Sequence, residues 1–75
     1  MDKTQKMKIV YSEHAKKRMK QRGINELEIE HVLNHPSYVK KSFEDTKEAF
    51  GEINNRPIKI KFIKIENYIK IITVM

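Results

Sequence analysis

Apolar residues recur at helical spacing between positions 12 and 35 and alternate with polar ones from position 38 onward, so the chain divides into a helical half and a stranded half. Ser12 stands where an N-cap would, its hydroxyl able to accept from an orphan amide of the following turn. Glu13 at the first helical position suits the positive end of the helix dipole. Ala15 and Met19 share the inward face, and Gly23 supplies the left-handed residue that stops a helix at Arg22. Met19 and Ile24 then hold the two positions of the apolar contact that accompanies such an ending. Asn25 starts a second helix, with Glu28 placed for a capping box and Ile24 and Ile29 for a hydrophobic staple. Ile29, Val32 and Leu33 form its inward face. Pro36 ends it, because the residue before proline avoids the helical region. Gly23-Ile24 therefore serves both helices and joins them tightly.

Residues 1–6 are polar and read as a frayed terminus. Lys8-Ile9-Val10-Tyr11 reads as a short strand or an extended lead-in. After Pro36 the pattern predicts a strand over 38–43, a turn at Glu44-Asp45-Thr46-Lys47 and a strand over 48–53, with Gly51 marking a bulge. A turn cluster, Asn54-Asn55-Arg56-Pro57, precedes the period-two run Ile58-Lys59-Ile60-Lys61-Phe62, which Ile63 interrupts. Glu66-Asn67 is a tight turn before a last strand over 68–74. Short connections favour antiparallel neighbours. The expectation is one α+β domain over 1–75, with a helix pair at 12–35 packed on a four-stranded antiparallel sheet at 38–75. Tyr11, Tyr38 and the phenylalanines are expected in its core.

Seventy-five residues leave room for one small core. The absence of cysteine excludes disulfide scaffolds, thiolate zinc sites and cysteine nucleophiles. No run approaches the roughly 18 apolar residues of a spanning helix, and the charged start has no apolar stretch behind it. A cytoplasmic protein without a membrane partner is the expectation. Sixteen basic against ten acidic residues give a net charge of +6, which favours a polyanionic partner, nucleic acid before acidic protein. The charge is uneven. Eight basic residues stand between Lys3 and Arg22 against Glu13 alone, whereas Asn25 to His35 carries Glu26, Glu28 and Glu30 and no Lys or Arg. From Arg56 to Lys70 five basic residues face Glu66 alone.

The first helix is the segment that can carry chemistry. Taking His14 as reference, Arg18 lies about 40° around the helix, Arg22 about 80°, Gln21 about −20° and Lys17 about −60°. One stripe thus holds an imidazole, two guanidiniums, an ammonium and an amide. An imidazole flanked by guanidiniums suits a general base working on a phosphodiester; the same stripe also reads as a solvated basic face with one incidental histidine. Arg22 doubles as a dipole partner in the last turn. In the stranded half Thr73 and Tyr68 could supply hydroxyls, and Arg56 and Lys59 could contact phosphates, although a strand threonine with a satisfied hydroxyl and a packing tyrosine are the commoner readings. His31 and His35 have the spacing of a metal pair, but no third ligand is placed and both sit near a helix C-terminus, where histidine is favoured anyway. No metal site and no cofactor are expected.

Ser12-x-His14-Ala15-x-x-Arg18-Met19-x-x-Arg22-Gly23-Ile24, then an acidic helix ending at Pro36 and a terminal Ile-Ile-Thr-Val strand, resembles a bacterial family of unknown function, number four-two-five-eight. The resemblance covers about residues 8–75. That family looks like a compact relative of the RelE-like and BrnT-like toxins, which implies a RelE/barnase-like topology and the activity of a metal-independent ribonuclease neutralised by an antitoxin. Carried over by position, His14, Arg18 and Arg22 match the opening motif and Thr73 the hydroxyl residue of the last strand. This chain departs from RelE-like toxins in stopping at Met75 without their basic tail, which puts strong ribosome-associated cleavage in doubt. The expected function is RNA cleavage by 2′-hydroxyl attack, with His14, Arg18, Arg22 and Thr73 catalytic and Lys17, Gln21, Arg56, Lys59 and Tyr68 binding the nucleic acid. The alternative is a non-catalytic module that binds nucleic acid or an acidic partner through the same face. An exposed sheet edge would also allow a homodimer.

Overall fold

The computed structural model describes residues 8–42 and 44–75. The terminus expected to fray, 1–6, and Phe43, expected in the first strand after the helices, lie outside the described residues. The elements run β1 (Lys8–Tyr11), α1 (Glu13–Arg22), α2 (Glu26–Asn34), β2 (Tyr38–Lys41), β3 (Thr46–Ile53), β4 (Arg56–Ile65) and β5 (Tyr68–Val74). They form an α+β fold in which both helices pack on one face of a five-stranded sheet of order β1-β5-β4-β3-β2.

The sheet is mixed, which corrects the expectation of four antiparallel strands. The β2-β3-β4-β5 meander is antiparallel, but Lys8–Tyr11 is a full strand and lies parallel to β5, with Ile9 opposite Ile69 and Tyr11 opposite Ile71. Hairpin strands announce their partners through the turn between them. A parallel pair separated by some sixty positions leaves no such local mark.

Both helix ends form as the sequence predicts. Ser12 Oγ accepts from the Ala15 amide at 3.0 Å. Gly23 takes φ 67°, and the Ile24 amide reaches back to the Met19 carbonyl at 2.9 Å. Asn25 and Glu28 close the capping box with bonds of 2.9 and 3.0 Å. Ala15, Met19, Ile24, Ile29 and Val32 are thereby buried against Ala49, Ile53, Ile58, Ile60, Ile71 and Val74. Complete burial of a side chain such as Ile29, Ile60 or Ile71 stabilises by about 1.5–3 kcal/mol.

The hairpins differ from expectation in detail. Of the four residues expected in the first turn, Glu44 and Asp45 lie in it, both at positive φ, and β3 already begins at Thr46. Asn54 and Asn55, also at positive φ, make the second, so Arg56 and Pro57 belong to β4. β2 ends at Lys41. Gly51 is paired in register with Ile58 and is not bulged. Its function is close approach: a Cβ there would stand 3.0 Å from Val32 Cγ1, so α2 lies directly on the glycine. The irregularity falls between β4 and β5, where Lys61 pairs with Thr73 but Phe62 with Ile71, so that Ile72 is skipped. Of the aromatic residues expected inside, Tyr11 and Phe62 pack against the core, whereas Tyr38 is exposed and Phe50 lies with it on the face away from the helices.

Candidate functional site

The rotation of α1 is set by Ala15 and Met19, which are buried. His14, Lys17, Gln21 and Arg22 are consequently exposed and Arg18 is half-buried along the side of the helix. Ser12 fixes where this ridge starts. Besides capping α1, its hydroxyl donates to the carbonyl of the skipped Ile72 at 2.7 Å, while its amide donates to the Ile71 carbonyl at 3.0 Å. At the other end Arg56 Nη1 donates to the Arg22 carbonyl at 3.3 Å, which brings a further cation to the C-terminal turn. The structure therefore gathers His14, Lys17, Arg18, Gln21, Arg22 and Arg56 on one ridge. A shallow depression of about 440 Å³ beside it is lined by Glu13, His14, Lys16, Lys17 and Lys20. The Lys16–Glu13 pair at 3.7 Å is exposed at both partners and contributes little.

Thr73, Lys59 and Tyr68 lie elsewhere. Partners across a sheet share a face. Ile60 and Val74, opposite one another, point to the helices, so Lys61 and Thr73 point away. By the same register Lys59 and Tyr68 project from the open face, together with Lys8, Lys40, Lys70, Phe50 and Tyr38. Glu48 and Glu52 are the acids of that face among the described residues. Thr73 Oγ1 is buried there without a hydrogen-bond partner among the described residues. The sheet thus stands between the α1 ridge and three of the nine residues singled out from the sequence. Sequence reasoning missed Tyr38, Phe50 and Lys40, because only the strand register shows that they share a face with Lys59.

On the helix side of the sheet, Tyr11 also has a buried hydroxyl without a partner among the described residues. Burial, then the nearby Glu26 and Glu30 carboxylates, push its phenol up to about 12. His31 and His35 stack with ring centroids 5.4 Å apart. Among the described residues no three His, Asp or Glu side chains form a group that could hold a metal ion. Nor is any helix there long and apolar enough to cross a membrane.

The protein is thus an α+β domain with a cationic helix braced on the sheet by its own N-cap and a second basic face on the far side of that sheet. The chain belongs to the family described as a domain of unknown function (DUF4258), whose model matches residues 11–75. No curated protein and no solved structure matches it.

Proposed function

We propose that this protein binds RNA through the α1 ridge and cleaves it without a metal, as a ribonuclease of the toxin type. The observation that carries the reading is the alignment of His14, Arg18 and Arg22 along one side of a helix whose rotation the core fixes. In the proposed step His14 removes the proton of a ribose 2′-hydroxyl, the 2′-oxygen bonds to the adjacent phosphorus, and the bond to the 5′-oxygen breaks. Water protonates the leaving oxygen, since Thr73 and Tyr68 project from the other face. Arg18 and Arg22, with Lys17, stabilise the charge that builds on the phosphorane-like transition state. The products are a 2′,3′-cyclic phosphate and a 5′-hydroxyl. The resemblance of the family as a whole to the RelE-like and BrnT-like toxins adds to the same reading, and with it an acidic antitoxin that covers the ridge.

A second reading is a non-catalytic binding module. It is favoured by the exposure of His14, because fixed charges act most strongly where water is excluded. Wild type, His14→Ala and Arg18→Ala, incubated with mixed RNA in EDTA and analysed by gel and end-group chemistry, decide between the two. The proposal expects cyclic-phosphate ends from wild type and a loss of about 10²–10⁴ in rate for His14→Ala. Salt-dependent binding with no cleavage by any of them would leave the binding module. Absence of both would turn attention to an acidic protein partner.

A further inference from the structure

The open sheet face carries a feature that the α1 reading does not use. Met75, Lys59, Phe50 and Tyr38 form one row across four neighbouring backbones, joined by the reciprocal Lys59–Met75 bonds of 2.9 and 2.7 Å and by the β-pairing. Within it the Tyr38 and Phe50 rings stack at 4.5 Å between centroids with planes 11° apart. Lys59 Nζ lies 6.0 Å from the Phe50 centroid on that ladder. Tyr38, at the sheet edge, is 57% exposed. Beside the rings is a shallow depression of about 420 Å³ that includes Ser37, Glu52, Pro57 and Met75 in its walls. In the next row Lys40 and Lys61 flank Glu48. Among the described residues, five lysines project from this face against two glutamates.

We propose that the Tyr38–Phe50 pair is a stacking site for a base of single-stranded RNA, with Lys40 and Lys59 placed for its phosphates. This rests on the RNA-binding reading above and adds to it a second contact surface and a preference for single strands. Charge selects the occupant, because the lysine excess matches a polyanion. The rings select among polyanions, since every base presents a flat face to an aromatic side chain and a duplex hides those faces. A simple cross-strand aromatic pair would stabilise β2 and nothing more. Only the stacking role makes RNA affinity depend on the ring.

The test uses the full chain and a short fluorescein-labelled 2′-O-methyl oligoadenylate, which cannot be cleaved by 2′-hydroxyl attack, read by anisotropy at low salt. Tyr38→Ala is expected to weaken binding on the order of tenfold. Tyr38→Trp should bind as wild type. Because the chain has no other tryptophan, emission from that variant reports the site directly and should fall as oligoadenylate is added. The complementary duplex should bind less tightly than the single strand. Should Tyr38→Ala bind as wild type, with the tryptophan signal unmoved while Arg18→Ala weakens binding, the stacking site is refuted and the α1 reading survives. No binding by wild type refutes both. Quenching by oligoglutamate and not by oligoadenylate would also overturn the proposal, assigning the face to an acidic peptide.

Discussion

Ser12 makes two bonds with one hydroxyl, and substitution can separate them. As an acceptor it caps α1 through the Ala15 amide at 3.0 Å; as a donor it satisfies the carbonyl of Ile72, the residue that the β4–β5 register skips, at 2.7 Å. Loss of a serine cap costs about 1 kcal/mol. A part-buried carbonyl deprived of its donor costs about 1–3 kcal/mol more. Ser12→Ala should therefore lose about 2–4 kcal/mol. A chain of this length is expected to have about 4–11 kcal/mol in all. Ser12→Asp retains the cap but aims a carboxylate at the Ile72 carbonyl, so it should lose at least the donor share despite the residue's strength as an N-cap. Ser12→Thr keeps both bonds and should stay within about 1 kcal/mol of wild type. Urea titration at neutral pH gives the free energies, and a thermal scan should show a fall of about 4–8 °C per kcal/mol. If Ser12→Asp is as stable as wild type, the hydroxyl–Ile72 bond contributes nothing and the bracing of α1 on β5 is a wrong account of how the ridge is positioned.

Gly51→Ala should destabilise by about 1–3 kcal/mol in the same urea assay, because its Cβ would meet Val32 Cγ1 at 3.0 Å; Val32→Ala in that background should remove most of the added cost. Ile60→Ala, at a fully buried central position, should cost about 2–5 kcal/mol. Tyr11 has its folded pKa raised to about 12 from 10.0, so the unfolded chain ionises first: its contribution is intact below pH 10 and is lost as pH rises from 10 toward 12. An ultraviolet titration should show one tyrosinate appearing near pH 12, and Tyr11→Phe should abolish that step and flatten the alkaline loss of stability.

The helix pair was legible because its determinants are local. Ser12, Gly23, Asn25 and Glu28 act within a turn of where they stand, and the capping bonds they make are those their spacing implies. The Ile58-Lys59-Ile60 alternation likewise put Ile58 and Ile60 in the core, since a strand with one covered face has only one way to turn. Glycine in a strand marks either a bulge or a close approach, so the sequence around Gly51 is compatible with both. Only the position of Val32 decides between them. Thr73 was grouped with His14 on motif alone, and the register with Lys61 places it on the other face.

What the sequence determined by itself is the class of domain, the two helix boundaries and the rotation of α1 that presents His14, Arg18 and Arg22 together. All of these are read from the spacing of residues a few positions apart: the caps act within a turn, and the Ala15–Met19 spacing sets which side of α1 turns to the core. The tertiary structure alone decided the parallel β1–β5 pair, the skipped Ile72 that receives Ser12, and the face shared by Tyr38, Phe50, Lys40 and Lys59. Those depend on which residue of one strand stands opposite which of another, and a shift of one position exchanges the two faces of a sheet without altering the pattern written along the chain.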